Sequence, residues 1–65
     1  MIAYEFHRFA RLGPALDQET VMATDDDQAR SLGELILLCS DETAYVEIHT
    51  PQGQVITLSQ EPQSI

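Results

Sequence analysis

The sequence predicts an α+β fold: a four-stranded antiparallel sheet in ββαββ order, with one helix packed on one face. Three observations predict it. The first residues alternate, with Ile2, Tyr4 and Phe6 on one side and Ala3, Glu5 and His7 on the other, as a half-buried strand requires. The middle of the chain, Asp25 to Cys39, carries apolar residues at helical spacing. Near the C-terminus, two β-rich runs, Thr43 to Thr50 and Gln54 to Gln60, are joined by Pro51-Gln52-Gly53.

The first strand is assigned to Ile2–Arg11. Leu12-Gly13-Pro14-Ala15 then combines a permissive backbone with a residue that cannot donate to a ladder, and the chain is expected to turn there. Thr20 to Thr24 is β-prone and is expected to return antiparallel to the first strand.

The helix is assigned to Asp25–Cys39 because Ala29, Leu32, Leu35, Ile36 and Cys39 fall on one side, with Asp26, Arg30 and Glu34 opposite. Thr24 or Asp25 can cap it, and Asp26 and Asp27 favour the positive end of its dipole. Gly33 costs such a helix roughly 1 kcal/mol against alanine, and the rival reading makes Glu34–Cys39 a strand. In this phase Leu37 points toward Arg30 and Glu34, and Leu38 flanks the stripe. The apolar arc is then wider than one sheet face needs.

In the C-terminal hairpin, proline suits the first central position of a type I turn, and Gly53 suits a left-handed bulge position. Thr50 then faces Gln54, followed by His49 with Val55, Ile48 with Ile56, Glu47 with Thr57 and Val46 with Leu58. Residues 61–65 contain Pro62 and no pattern, and are expected to fray. The 65 residues allow one domain and one small core, which excludes a two-domain enzyme with an enclosed active site.

Charge is the unusual quantity. Eleven acidic residues face three arginines, there is no lysine, and the net charge is -8. Residues 12–65 hold ten acidic groups against Arg30 alone, whereas residues 1–11 carry Glu5 against Arg8 and Arg11. Direct binding to a phosphate backbone or an anionic membrane is disfavoured. The longest apolar run, Leu35 to Cys39, falls far short of the roughly 20 residues that span a bilayer. No apolar leader with a cleavage site is read at the N-terminus, so the expected compartment is the cytoplasm. Cys39 is the only cysteine, which excludes an internal disulfide and a thiolate-rich zinc site.

No Gly-rich phosphate loop, G-x-S-x-G, H-E-x-x-H or C-x-x-C occurs, so no enzymatic activity and no cofactor are expected. Glu5 with His7, and Glu47 with His49, each lie two apart on a strand. Adjacent strands would gather them into a carboxylate and imidazole cluster of the type that holds zinc. The simpler reading makes them solvent positions of amphipathic strands, and no stoichiometric metal is expected. Cys39 on the apolar stripe reads as a small hydrophobe. Asp25-Asp26-Asp27 lacks the ligand spacing of a calcium loop and reads first as helix capping. Consecutive aspartates on a helix advance about 1.5 Å each, close to the roughly 1.7 Å charge spacing of a DNA duplex.

The chain resembles a group of short uncharacterised bacterial proteins with an aromatic first strand ending near a histidine, an acidic loop, an acid-capped helix with an Ala-Arg pair, and a hairpin. The matching positions are Tyr4, Phe6 and His7, then Asp17 and Glu19, then Asp25 with Ala29 and Arg30, and Gln52-Gly53. Tyr45, where a tryptophan is common, and an arginine-bearing first loop depart from that pattern. The group has no established activity, so the resemblance implies the fold alone.

The functional expectation is an acidic module that binds a basic surface of another protein. Asp17, Glu19, Asp25, Asp26, Asp27, Asp41 and Glu42 are its candidate contact residues. Its sharper form is an inhibitor that mimics nucleic acid, similar in role to the small acidic phage-encoded anti-CRISPR proteins. The alternatives are a structural or regulatory homodimer joined through Leu37, Leu38 or a sheet edge, and a metal-binding protein using His7 and His49.

Overall fold

A computed structural model describes residues 1–12 and 15–59. Its elements are β1 (Ile2–Phe9), β2 (Ala15–Ala23), α1 (Asp26–Cys39), β3 (Tyr45–His49) and β4 (Val55–Ser59). The four strands form one antiparallel sheet in the order β2-β1-β3-β4. The ββαββ α+β architecture is therefore as the sequence predicts. The turn expected at Gly13-Pro14 and the fraying expected for residues 61–65 lie outside the described residues.

β1 is central. It pairs with β2 along its length and with β3 from Glu5 to Phe9, and its Tyr4 and Phe6 are buried in the layer that the helix covers. Tyr4, Phe6, Ala23, Ala29, Leu37, Val46 and Ile48 form the buried core, with Ile2, Val21, Leu32, Ile36, Ile56 and Leu58 packed around it. β2 begins at Ala15, five residues before the predicted start at Thr20. Residues such as Asp17, Gln18 and Glu19 give an apolar-pattern reading nothing to detect. They sit in an edge strand held by backbone pairing to β1, and their side chains stay exposed.

The segment 34–39 is helix, not strand. Asp25 is the N-cap: its carboxylate accepts from the Gln28 amide at 2.8 Å, and Gln28 Oε1 reaches back to the Thr24 amide at 2.6 Å. The reciprocal arrangement satisfies two backbone donors at once, in the manner of a capping box.

The helix face is rotated from its predicted setting. Leu37, expected on the exposed side, is 5% exposed in the core, whereas Leu35 is 55% exposed and Cys39 is also on the surface. The buried row is Ala29, Gly33 and Leu37. Gly33 explains the rotation: a Cβ there would lie 2.7 Å from Leu58 Cδ1 and 3.0 Å from Ile48 Cδ1, so the helix approaches β3 and β4 through its bare backbone. An apolar-stripe reading omits glycine and so centres the face too far toward Leu35.

The hairpin has the predicted register from Thr50–Gln54 to Val46–Leu58. The Gly53 amide donates to the Thr50 carbonyl at 3.0 Å, and Gly53 adopts φ 89°, the left-handed setting that completes a type I turn with a bulge.

Candidate functional site

The seven predicted carboxylates are all exposed and fall in three places. Asp25, Asp26 and Asp27 surround the helix N-terminus. Asp17 and Glu19 lie on β2, and Asp41 and Glu42 occupy the connection from α1 to β3. Tertiary structure groups them further.

Asp26 accepts a 2.6 Å hydrogen bond from the buried Tyr4 hydroxyl, which fixes the aspartate run over the Ile2 and Tyr4 end of β1. Together these five residues line a shallow depression of about 320 Å³. The bond to Asp26, aided by burial and by the charges of Asp26 and Asp25, pushes the Tyr4 hydroxyl up to about 12. A donor to a carboxylate loses that bond when it ionises, so the neutral phenol is favoured.

The second group forms around Arg8. Register places Asp17 directly across from Arg8 and Glu19 across from Phe6, both on the helix side of the sheet. Arg8 Nε donates to Asp17 Oδ1 at 2.7 Å, and Nη2 pairs with Oδ2, giving a bidentate fork. The hydrogen bond from Arg8 lowers Asp17 below the usual carboxylate range and raises Arg8 in turn, with Glu19 and Glu42 adding to the field at Arg8. One arginine thus sits among three carboxylates drawn from β2 and the α1–β3 connection. Arg8 is four positions from Tyr4 along β1, so the two acidic groups lie roughly 13 Å apart at about 3.3 Å per residue.

The opposite sheet face holds a second constellation. β1 and β3 are neighbours, so Glu5 faces His49 and His7 faces Glu47. His7 Nε2 lies 3.3 Å from Glu5 Oε1, His49 Nε2 lies 3.2 Å from Glu47 Oε1, and the imidazole centroids are 4.2 Å apart. Next to them Phe9 and Tyr45 stack at 4.6 Å with their planes 5° apart. The strand adjacency that the zinc reading required is present. Each imidazole, however, addresses the carboxylate of its own strand, and no group of three or more metal-ligating side chains converges among the described residues.

Sequence reasoning missed Arg8 as the centre of an acidic group and missed the Phe9–Tyr45 stack. Both follow from register: Phe9 shares parity with His7 and so leaves the core face that Phe6 occupies. Leu38 is exposed as expected, while Leu37, proposed with it for self-association, is a core residue. No described helix is long and apolar enough to cross a membrane. No protein family, curated protein or solved structure matches the chain.

Proposed function

We propose that the chain is a non-enzymatic acidic binding module that docks its helix-side carboxylates on a basic surface of another protein, at a site that otherwise receives a nucleic-acid backbone. The observation that carries this reading is the paired acidic grouping, Asp25-Asp26-Asp27 at one end of β1 and Asp17, Glu19 and Glu42 around Arg8 near the other. Arg8 is already engaged by Asp17, so the positive charge within the second group is locally neutralised. Rigid placement also supports the reading, because the cap at Asp25 and the Tyr4 bond to Asp26 hold two of the aspartates without ordering cost on binding. The sharper form is an inhibitor of a nucleic-acid-handling complex, the role played by small acidic anti-CRISPR proteins.

The test is capture of binding proteins from cell extract at low salt, followed by elution with salt and with duplex DNA. Binding should weaken steeply as salt rises, DNA should displace the bound protein, and the triple variant Asp25→Asn, Asp26→Asn, Asp27→Asn should associate more slowly. Asparagine retains the capping oxygen, so the helix persists in that variant. A partner whose affinity is indifferent to salt, to DNA and to the triple substitution would overturn the proposal.

A further inference from the structure

The sheet ends in two unlike edges. β2 carries Asp17 and, at its midpoint, Glu19. β4 carries no ionisable side chain from Val55 to Ser59, in a chain whose net charge is -8. Natural edge strands are blunted by charge, proline or a bulge, and none of these lies within β4. Carboxylates set against their own copies repel, and β4 is the edge whose own residues bring none.

The backbone specifies how such a meeting would run. The Thr50 amide donates to the Gln54 carbonyl, so Thr50–Gln54 is a hydrogen-bonded pair, and such pairs alternate along an antiparallel ladder. Ile48–Ile56 and Val46–Leu58 are then bonded pairs. At His49–Val55 and Glu47–Thr57, the β4 residue turns its amide and carbonyl away from β3, toward the open edge. A two-fold axis through Thr57 pairs Thr57 with Thr57 of the second copy. On the helix side the same axis sets Ile56 beside Leu58 of the second copy. Ile56 and Leu58 are each half-buried in the single chain, and Val55 is 50% exposed. Alongside runs a groove of about 370 Å³ lined by Glu34, Leu37, Leu38 and Ser59, where Leu38 is 79% exposed. The corresponding axis through the other edge would press Glu19 against Glu19.

We infer that β4 is a self-association edge, joining two copies antiparallel about Thr57 into one eight-stranded sheet with both helices on the same face. The inference goes beyond the proposed function and has the opposite salt dependence. Two chains of like charge repel, so salt strengthens this dimer while it weakens docking on a basic partner.

Sedimentation equilibrium and light scattering across protein concentration, at low and high salt, test it. The expected result is a reversible dimer whose population rises with salt. Thr57→Pro removes an outward-facing amide without touching the β3 ladder. Thr57→Lys sets two like charges opposite each other. Each should raise the dimer dissociation constant at least about tenfold while far-UV circular dichroism stays native. A wild-type chain that is monomeric at high concentration and high salt would overturn the inference. So would a dimer that survives both Thr57 variants, or one lost in Leu38→Ser but kept in them, which would place the contact on the helix.

Discussion

The two faces of the sheet are built from the same strands and solve burial differently. On the helix side Tyr4, Phe6, Val46 and Ile48 are at most 1% exposed, each enclosed by the helix and by its neighbours. On the open side Phe9 pairs with Tyr45 and His7 with His49, ring against ring, and all four stay half-buried with no helix or strand of the described residues above them. Aromatic content is similar on both sides, so side-chain type alone does not determine which face becomes a core. A covering element does. The open face gains cross-strand contact, whereas the covered face gains full removal from water.

The largest expected effect sets these faces against each other. Phe6→Ala should destabilise the chain by about 3–5 kcal/mol, because it empties a fully enclosed site, whereas Phe9→Ala should cost only about 1 kcal/mol from the lost ring pair. Chemical denaturation measures both, and equal losses would mean that the open face is covered in solution. A smaller effect probes how close the covering layer sits. Gly33→Leu should cost about 1–3 kcal/mol through overpacking against Ile48 and Leu58, although leucine is the better helix former. A stabilised variant would show that the helix rides higher over β3 and β4.

The smallest effect concerns pH. Tyr4 has its folded pKa raised to about 12 from an ordinary 10.0, so its contribution is full below the unfolded value and is lost as pH rises through the folded one. Between these values the unfolded chain binds fewer protons than the folded one, and stability falls with pH. Denaturation midpoints followed into alkaline solution should show this decline in wild type and a shallower one in Tyr4→Phe. The bond from Tyr4 to Asp26 belongs to the covered side of the sheet, so this pH effect reports on that side.

Parts of the site are legible in the amino-acid sequence. The candidate carboxylates are exposed because acidic side chains rarely bury unpaired, and Asp25 caps the helix through a contact only three residues away. The grouping of Asp17, Glu19 and Glu42 around Arg8 is not legible there, because it depends on the β1–β2 register and on where the α1–β3 connection crosses. The Glu5, His7, Glu47 and His49 quartet is legible only as a conditional, since the sequence does not state which strand lies beside β1.

Sequence by itself determined what short-range geometry can enforce. Pro51 and Gly53 close a turn that leaves one register for β3 and β4, and alternation from Ile2 to Phe6 chooses which side of β1 is buried. Tertiary structure decided the rest: the five additional residues at the start of β2, the place of β3 next to β1, and the rotation of the helix that buries Leu37 and exposes Leu35 and Cys39. The physical reason is common to all three. Backbone pairing and the bare surface of Gly33 stabilise through what lies opposite them in space, and neither an unpaired amide nor an absent side chain leaves a mark in an apolar pattern.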